Sequence, residues 1–456
     1  MHAIYVKDVV RLCGGKVLYG DEDLELSTFC IDTRKIKAGD VYVGICGKSV
    51  DGNDFYREAI NKGASCLILS KEPEREQIEG ATIVLVPDTI KCLQELARYK
   101  RSLYDIPVIA ITGSVGKTST KDIVYSVVSK KYKTHKTIGN YNNHLGVPLT
   151  ILGLHDHEAM VIEMGMNHLR EISLLSSIAK PTMAVITNIG TAHIGNLGSR
   201  ENILKAKLEI LEGMVGNYVI LNHDDDMLRS IEDKLKERYE VSTISIEEES
   251  TYQAVHLDSK VFSSIFDIRN YLKRVQVQVG GKAYVYNSLV AYAVGKCLDI
   301  RDEDIRRGIE EFKLSSSRLE KKVTKLGTIL IDDTYNANYD SMKSSIELLG
   351  RVEEKRKIAI LGDMLELGDY TENLHYQLGD ILVENKVDVL VTIGEYSKLI
   401  AKRVIELGMD KELVFSFERE EDSYLLLDKL LDKNDIVLIK GSHGIHLIGI
   451  VDYLMK

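Results

Sequence analysis

Uninterrupted apolar runs, each ended by a polar residue, recur through the middle and the C-terminal part of the chain. Such runs are typical of strands that are buried on both faces, as in parallel sheets covered by helices. The runs are residues 108–112, 159–163, 183–188, 218–222, 328–332, 358–361, 389–393 and 436–440. Apolar residues at helical spacing separate the later runs, near 341–350, 374–386, 397–407 and 422–432. The alternation predicts two successive α/β units with mostly parallel sheets.

The first 105 residues or so show short strands between glycine turns. Two helices are predicted there, one through residues 59–60 that ends at Gly63, and one from about residue 90 to residue 104. Several Thr, Arg, Lys, Asp and Asn side chains in the intervening loops could line a polar ligand site. From composition alone, ordinary turn residues of a small α/β domain are an equally good reading.

The predicted fold class is α/β with three domains. These are a small α/β domain over residues 1–105, a central domain of the P-loop type with a mostly parallel sheet over 106–315, and a Rossmann-like domain over 316–456. A period-two pattern at residues 274–279 indicates a few antiparallel strands between about 240 and 286. A helix over residues 287–296 is expected to close the central domain.

Composition narrows the class of protein. A chain of 456 residues with 44% hydrophobic residues is long enough for several cores, and its net charge of -10 without a basic block argues against nucleic-acid binding. The six cysteines show neither paired nor zinc-type spacing, which suits reduced thiols. No apolar run approaches the roughly 20 residues of a membrane span, and the N-terminus lacks a secretory core. We expect a soluble cytosolic protein, monomeric by default.

The first of these runs continues into a glycine-containing turn and then a helix. The turn is Gly113-Ser114-Val115-Gly116-Lys117-Thr118. Strand, phosphate loop and helix in this order form a nucleotide-binding layout, with backbone amides at the helix N-terminus, a lysine for the phosphates and a hydroxyl for magnesium. The spacing is shorter than in the general P-loop, since Ile111 stands where that motif has its first glycine. A chance turn before a helix remains the alternative.

Further polar groups stand at the predicted strand ends, where open parallel sheets bind their ligands. In the central unit these are Glu163, residues 187–188 and His193, followed by a helix that Ser199 caps and that carries Lys207. Singly, Glu163 could cap a helix, His193 could be a turn residue and Lys207 a solvated lysine. The C-terminal unit has polar turns at 332–338, 362–368 and 440–443. Two such edges predict a reaction in a cleft between domains, with closure excluding water.

The chain resembles the Mur ligase family over its whole length. The segments that carry the resemblance are residues 51–52, 112–118, 139–150, 163–165, 187–193, 206–209, 221–222 and 332–338. Residues 361–368 are most similar to the family branch that joins D-alanyl-D-alanine to a UDP-N-acetylmuramoyl-tripeptide. The family has the shorter phosphate loop, which accounts for Ile111.

The resemblance implies an ATP-dependent, ADP-forming peptide ligase of peptidoglycan precursor synthesis. ATP would phosphorylate the tripeptide carboxylate, and the amine of D-alanyl-D-alanine would attack the acyl phosphate. Lys117, His193 and Lys207 are the implied catalytic residues. Two Mg²⁺ ions are implied, the first held by Thr118 and Glu163 and the second by His193 and a carbamylated Lys207. Carbamylation suits a metal site because it converts a repelling cation into an anion with oxygen ligands.

The resemblance also assigns residues to the substrates. In the nucleotide site it implies the loop residues Gly113, Ser114, Val115, Gly116, Lys117 and Thr118, together with Asn287 at the adenine and Arg318 and Asp333 on the closing C-terminal domain. It places Thr33, Arg34 and Lys48 at the uridine diphosphate, Asn142 and Asn143 at the UDP-peptide, and Asn336 and Asn338 at the amine substrate. Asn336 and Asn338 could instead be plain turn residues.

Some positions depart from the family branch. They are Asn53 for His, Arg170 for Gly, Ala283 and Tyr284 for a His-Asn pair, Tyr339 for Pro and His443 for Arg. Two alternatives follow: a divergent Mur-type ligase with a different carboxylate and amine pair, and, from another class, a non-catalytic nucleotide-binding regulator or a P-loop motor domain. A panel of carboxylate and amine substrates distinguishes the divergent ligase from the leading interpretation. ATP turnover that requires both substrates distinguishes a ligase from a regulator or a motor.

Overall fold

The computed structural model describes residues 3–47, 49–74, 78 and 80–456, and the predicted substrate residue Lys48 lies outside the described residues. All six cysteines fall in the described part and are free thiols. Within the same ranges, no helix is both long and apolar enough to cross a bilayer.

In the described residues, the chain forms three large sheets and one two-stranded ribbon. The first sheet has five strands over residues 16–85, the central sheet nine over 108–277, and the C-terminal sheet six over 320–440. Most neighbouring strands are parallel and helices connect them, so the predicted α/β fold class is confirmed. The limits of the three domains stay a prediction.

The N-terminal part contains the first sheet and the ribbon. Its elements are β1 (Ile4–Tyr5), α1 (Val6–Cys13), β2 (Lys16–Tyr19), β3 (Glu25–Leu26), β4 (Phe29–Cys30), β5 (Val41–Val43), α2 (Tyr56–Asn61), β6 (Cys66–Leu69), β7 (Thr82–Leu85) and α3 (Thr89–Ser102). The sheet order is β2-β7-β6-β5-β4, with only β2 antiparallel to its neighbour. The two predicted helices are α2 and α3. The sequence analysis misses α1, although Val6, Val9 and Val10 recur at helical spacing within it.

The central part is built around strand β8. Its elements are β8 (Val108–Thr112), α4 (Lys117–Val128), β9 (Thr134–Lys136), α5 (Gly146–Leu152), β10 (Ala159–Glu163), α6 (Glu171–Ala179), β11 (Met183–Ile186), α7 (Ile194–Leu197), α8 (Arg200–Leu208), β12 (Tyr218–Asn222), α9 (Asp226–Arg229), α10 (Glu232–Lys236), β13 (Glu240–Ser245), β14 (Tyr252–Ser259), β15 (Ser264–Ile268), β16 (Val275–Val277), α11 (Lys282–Cys297) and α12 (Asp302–Glu310). The sheet order is β16-β15-β14-β13-β12-β11-β8-β10-β9.

The expected antiparallel strands are present as β14, β15 and β16. They begin later than about residue 240, because β13 pairs parallel with both of its neighbours and continues the main sheet. The helix expected over 287–296 begins five residues earlier, at Lys282, because the turn Gly280-Gly281 that precedes it is what ends the extended chain. Asn287 is therefore in the second turn of α11.

Strand β8 shows why the apolar run exists. Val108 and Ala110 pack into one hydrophobic core, while Ile109 and Ile111 pack into a second core on the opposite face of the sheet. Alternate residues of a strand point to opposite faces, so a strand covered by helices on both sides must be apolar throughout. The buried strand carries the phosphate loop at its C-terminal end.

The C-terminal part repeats this architecture. Its elements are β17 (Glu320–Val323), β18 (Ile329–Asp332), α13 (Tyr339–Gly350), β19 (Arg356–Gly362), α14 (Thr371–Glu384), β20 (Val389–Ile393), α15 (Lys398–Glu406), β21 (Val414–Phe417), α16 (Tyr424–Leu430), β22 (Asp435–Lys440) and α17 (Ile448–Met455). The order is β17-β18-β22-β19-β20-β21, and only β17 is antiparallel. The sequence pattern misses the edge strands β17 and β21, whose exposed faces interrupt the apolar run, and α17.

The loop that contains α7 joins the central and C-terminal parts. Asp340 Oδ2 accepts hydrogen bonds from the backbone N–H of Thr191 at 2.7 Å and from its hydroxyl at 2.9 Å. Farther along, the Tyr370 hydroxyl donates to the Gly198 carbonyl at 3.0 Å. Between these contacts Gly195 faces Gly368 so closely that a β-carbon on Gly195 would lie 2.5 Å from the Gly368 nitrogen.

We expect Gly195→Ala to hold the two parts of the molecule apart. The added methyl group meets backbone atoms that cannot rotate away, at a cost of roughly 1–3 kcal/mol in the docked state. Small-angle X-ray scattering should show a larger radius of gyration than for the wild type, with an unchanged circular dichroism spectrum. Asn196→Ala, at the exposed neighbouring position, is the matched control. An unchanged scattering curve for Gly195→Ala would contradict the interpretation.

His135 on the edge strand β9 makes the fold sensitive to acid. Its Nε2–H donates to the Thr150 carbonyl at 2.8 Å, and its ring centroid lies 4.7 Å from that of His157. Burial, with His157 as a smaller cause, lowers the pKa of His135 from 6.5 to about 4. Because the unfolded chain binds the proton more tightly, protonation favours unfolding.

Folding stability should therefore fall as the pH drops from 6.5 towards 4. Above pH 6.5, where His135 is neutral in both the folded and the unfolded chain, this loss of stability should be absent. The shift corresponds to about 3 kcal/mol at most. Urea unfolding followed by circular dichroism at pH 7 and pH 5 measures it. His135→Gln should lose less stability between these pH values than the wild type, whereas His168→Gln at an exposed position should lose as much as the wild type. Equal losses in the wild type and His135→Gln would be the contrary result.

Candidate active site

The phosphate loop lies between β8 and α4 and is held from the side by the end of β11. Gly113 and Gly116 have φ angles of 148° and 88°, which side-chain-bearing residues rarely adopt. A β-carbon on Gly113 would lie 1.9 Å from the Thr187 hydroxyl. The Ser114 N–H donates to the Asn188 carbonyl and the Val115 N–H to the Asn188 side chain. These two amides are thus occupied, which leaves the amides in the first turn of α4 for an anion.

The end of β10 brings an anion to the start of α4. Glu163 is 2% exposed, and its carboxylate accepts hydrogen bonds from the Thr118 hydroxyl at 2.9 Å and from the Asn142 amide at 2.8 Å. Lys117 Nζ donates to the Gly113 carbonyl at 2.8 Å. Burial lowers the pKa of Lys117, the Glu163 charge opposes this shift, and Arg318 adds to it. The predicted pair Thr118 and Glu163 is therefore in direct contact.

Lys207 is a buried amine without a partner. Its side chain is fully inaccessible, and Nζ makes no hydrogen bond within the described part of the chain. Burial is the main reason that the pKa of Lys207 is well below its usual value, and the positive charge of Lys117 lowers it further. Glu163 acts in the opposite direction. A buried amine with a lowered pKa, near Lys117, is unlike the solvated lysine that the sequence alone would favour.

His193 starts α7 with a left-handed backbone, at a φ of 63°. Its Nδ1 lies 2.9 Å from Glu366 Oε2, an ion-pair distance, but the carboxylate is off the direction of a hydrogen bond. The contact with His193 holds the pKa of Glu366 below its usual value. His193 faces the same cavity as Lys117, and it joins the loop of the central part to the C-terminal part.

Two adjoining cavities lie between the central and C-terminal sheets. The first, of about 340 Å³, is lined by predicted residues from both sides: Ser114, Val115, Gly116, Lys117, Thr118, Asn142, Glu163, His193, Asn287, Arg318, Asp333, Asn336 and Asn338. The second, of about 580 Å³, shares Val115, Gly116 and Asn287 with it and extends between Tyr286 and Tyr339. The structure thus gathers most of the predicted residues at one place.

Asn287 stands at the boundary of the two cavities. Its Oδ1 accepts a hydrogen bond from the Thr120 hydroxyl at 2.8 Å, so its side-chain NH2 group is the part that can donate to a ligand. The side chain also limits the space beside the loop, because a β-carbon on Gly116 would be 3.3 Å from its oxygen.

Arg318 reaches the phosphate loop from the linker to the C-terminal part. Its Nη2 donates to the Thr118 hydroxyl at 3.0 Å. Asp333 lies on the same edge but is fully engaged: it accepts from the Leu319 N–H, from the Ser345 hydroxyl at 2.7 Å and from Lys440 Nζ at 2.6 Å. Asp333 therefore fixes the linker.

Sequence reasoning missed Ser345 and Lys440. The polar turn at the end of β22 was a usable signal for Lys440, which is 3% exposed. Nothing along the chain marks Ser345, which reaches Asp333 only because α13 packs on this edge.

Three predicted asparagines have their carbonyl oxygens occupied by the protein. Asn338 caps α13 by accepting from the Ser341 N–H, and Asn143 Oδ1 accepts from the Leu145 and Gly146 N–H groups in the turn that leads into α5. Asn336 Oδ1 accepts from the His443 N–H at 3.4 Å. The substrate roles of these asparagines stay a prediction. Their side-chain NH2 groups are the parts best placed to donate to a substrate.

Of the predicted uridine diphosphate residues, Thr33 and Arg34 lie in the described N-terminal part and line neither cavity. Thr33 is buried and opens a short 3-10 helix. Arg34 is largely exposed and pairs with Asp32 at 2.8 Å, a contact that lowers the pKa of Asp32 to about 2. Asp32 therefore occupies two of the Arg34 nitrogens, and the role of Arg34 at the uridine diphosphate stays a prediction.

Two of the residues that depart from the family branch, Asn53 and Arg170, have hydrogen-bond partners in their surroundings. Asn53 is buried and hydrogen-bonded to Asp51 and Ser70. Arg170 has a φ of 73°, which explains why a glycine is usual at that position. Its N–H is satisfied by Glu209 at 2.6 Å.

Other unusual residues border the cavities. Ala283 lines both of them and Tyr339 the second. The Tyr284 hydroxyl lies 3.3 Å from the Ser119 hydroxyl and donates to the Arg318 carbonyl at 3.4 Å. The ring of His443 is 6.3 Å from that of Tyr335.

Comparisons with known proteins agree with this arrangement. Three family models match: Mur ligase family, catalytic domain, over residues 25–101; Mur ligase middle domain over residues 111–295; and Mur ligase, glutamate ligase domain, over residues 317–443. A curated "UDP-N-acetylmuramoyl-tripeptide--D-alanyl-D-alanine ligase" of Bacillus subtilis (strain 168) is 34% identical over 456 residues, which cover 99% of this chain and 98% of that protein.

Solved structures give the same result. MurF from Acinetobacter baumannii is similar with a TM-score of 0.89 at 28% identity, with 99% of each chain covered. MurF ligase from Thermotoga maritima in complex with ADP is similar with a TM-score of 0.80 at 27% identity, with 94% of this chain and 97% of that chain covered. Because the similarity extends over all three large sheets and nearly the whole length of these proteins, the chain belongs to the Mur ligase family.

Proposed function

We propose that this protein is an ATP-dependent amide ligase that joins D-alanyl-D-alanine to a UDP-N-acetylmuramoyl-tripeptide through an acyl phosphate. The observation that carries the proposal is the 340 Å³ cavity, in which the phosphate loop of one sheet faces Arg318 and two asparagines of another. The names of the curated relatives support the choice of substrates, since this chain matches them from end to end.

ATP fits the two adjoining cavities. Its phosphates belong at the loop and the N-terminus of α4, where the helix dipole and Lys117 favour negative charge. The base and ribose belong in the 580 Å³ cavity, because Asn287 stands at its junction with the phosphate site. The Thermotoga maritima relative is in complex with ADP, which supports an adenine nucleotide as the ligand.

The residues at the loop suit Mg²⁺. Thr118 and Glu163 offer hard oxygen donors in contact with each other. Within the described ranges no group of three or more His, Cys, Asp or Glu residues forms a metal cluster. A Mg²⁺ ion bound with a nucleotide takes several of its ligands from phosphates and water. His193 and Lys207 would hold a second ion, which requires the carbamate, because an imidazole and an amine alone are poor ligands for magnesium. Bound Mg²⁺ supplies charge neutralisation at the phosphates.

The buried amine of Lys207 has the properties that carbamylation needs. A lysine reacts with carbon dioxide in its neutral form, and the depressed pKa of Lys207 favours that form at neutral pH. The product carries a negative charge, which Lys117 would offset in place of the present repulsion. The absent hydrogen-bond partner of Nζ is consistent with a group that is completed by modification.

The chemistry follows from charge and from the exclusion of water. Lys117 and Arg318 approach the transferring phosphoryl group from opposite sheets and offset its negative charge as the tripeptide carboxylate attacks the γ-phosphorus and the bond from that phosphorus to the leaving ADP oxygen breaks. The amine nitrogen then attacks the acyl carbon, the bond from that carbon to the phosphate oxygen breaks, and the amine loses a proton as the amide forms. Contacts such as Asp340 to Thr191 keep the cleft closed, which protects the acyl phosphate from hydrolysis.

The function is tested by measuring ADP release with ATP, Mg²⁺, UDP-N-acetylmuramoyl-tripeptide and D-alanyl-D-alanine, each omitted in turn. Turnover should require all four, and the product should contain the new amide by mass spectrometry. Turnover without the tripeptide would indicate a motor or another ATPase. Turnover with the tripeptide but with a different amine would indicate a divergent ligase, for which Tyr339, which lines the second cavity, would be the first residue to examine.

Lys207→Ala should reduce kcat at least a thousandfold while the protein stays folded, because it removes a group that completes the charge balance of the phosphate site. Lys205→Ala, at an exposed position of the same helix, is the matched control and should keep its activity. With ¹³C-labelled bicarbonate, the wild type and Lys205→Ala should show a carbamate carbon signal by NMR that Lys207→Ala lacks. Full activity of Lys207→Ala would rule out the role.

A further inference from the structure

Arg318 is presented to the cleft by a strained piece of backbone. Its two neighbours, Ser317 and Leu319, have φ angles of 60° and 54°, in the left-handed region that non-glycine residues rarely occupy. Such conformations persist where surrounding contacts impose them, and they are frequent at functional sites. Here the Leu319 N–H donates to Asp333 Oδ1 at 3.2 Å, and the Tyr335 N–H donates to the Ser317 carbonyl at 3.1 Å.

The guanidinium itself is held without a counter-ion. Among the described residues no carboxylate lies within ion-pair distance of Arg318, and its buried Nε has no hydrogen-bond partner. Its contacts are the Thr118 hydroxyl and the face of Tyr335, whose ring centroid lies 3.8 Å from Arg318 Cζ. Lys117, another cation, is near enough to be affected by it. Repulsion from Lys117 would move a flexible arginine away unless something else fixed the guanidinium plane.

An aromatic face is well suited to this task. A carboxylate would neutralise the guanidinium and occupy the N–H groups that phosphate oxygens need. A ring stacked on the guanidinium attracts the cation through its π electrons and leaves all five N–H donors free at the edge of the plane. Tyr335 is half-buried, lines the first cavity, and makes no side-chain hydrogen bond within the described ranges. It is therefore placed to hold Arg318 without competing for its donors.

We propose that Tyr335 is a positioning residue, whose ring holds the Arg318 guanidinium edge-on to the transferring phosphoryl group. The inference rests on the proposed function for the identity of the reaction, but not for the contact between the two side chains. Tyr335 acts through Arg318 and does not itself touch the reacting atoms. Arg318 in turn acts mainly on the transition state, where the phosphoryl charge is being redistributed, so the loss of the ring should affect kcat more than the KM for ATP.

The kinetic test compares Tyr335→Phe, Tyr335→Leu and Arg318→Met, with Tyr396→Leu as the control at an exposed tyrosine in the turn between β20 and α15. Tyr335→Leu should lower kcat roughly ten- to thirtyfold with less than a threefold change in the KM for ATP. Tyr335→Phe, which keeps the ring, should stay within about threefold of the wild type. In the Arg318→Met background, Tyr335→Leu should add less than twofold. An equal loss in both backgrounds, or a loss in Tyr335→Phe as large as in Tyr335→Leu, would overturn the proposal.

A second test needs no ligation. The chain contains no tryptophan, so Tyr335→Trp introduces a single indole in the cleft. Addition of Mg²⁺ and the non-hydrolysable analogue β,γ-methylene-ATP should change its fluorescence as Arg318 engages the phosphates, and Arg318→Met should remove this change. The same change in both backgrounds would contradict the contact. If the wild type ligates no substrate but this fluorescence change depends on Arg318, the proposed function fails and the positioning role stands.

Discussion

The approach of two positive side chains from different sheets is the constraint on which the site depends. Lys117 begins α4 at the end of the buried strand β8, and Arg318 comes from the linker before β17. Two cations in one cavity repel each other, and neither is neutralised by a salt bridge within the described residues. Specific contacts hold the two cations in place against this repulsion. Lys117 donates to the Gly113 carbonyl, and Arg318 lies between Thr118 and Tyr335. A triphosphate would convert this repulsion into attraction from both sides.

Because Lys117 and Arg318 come from different sheets, the two sheets must be held together near the phosphate loop. The loop after β11 makes contacts to both. Thr187 and Asn188 hold the phosphate loop, and Gly190 donates its N–H to the Ser114 hydroxyl. The next residue, Thr191, binds Asp340 of the C-terminal part. One short segment therefore connects the conformation of the phosphate loop with the docking of the C-terminal sheet. Small residues are needed along it, because backbone approaches backbone at Gly195 and Gly368.

Several polar residues of the cleft already make hydrogen bonds within the protein. Asn338 caps α13, Asn143 accepts from the backbone before α5, and Asp333 accepts from Ser345, Lys440 and a backbone amide. These side chains are pre-organised, so a ligand would meet groups that already have fixed directions. Lys207 is the opposite case, since its amine is buried next to charged groups and has no partner. The contrast between satisfied and unsatisfied polar groups is what distinguishes supporting residues from residues that await a modification or a ligand.

The sequence alone determined the features that depend on neighbours along the chain. Apolar runs revealed the buried strands, and the motif of residues 113–118 revealed the phosphate loop, because periodicity and turn chemistry are local. It did not reveal the helix α1, the edge strands or the true start of α11, where the local pattern is short or mixed. Only the tertiary structure decided that Lys207 is buried, that Lys440 reaches Asp333 and that the ring of Tyr335 supports Arg318. Burial and side-chain contacts of this kind arise from elements that are distant in sequence and packed together in space, and no local pattern encodes them.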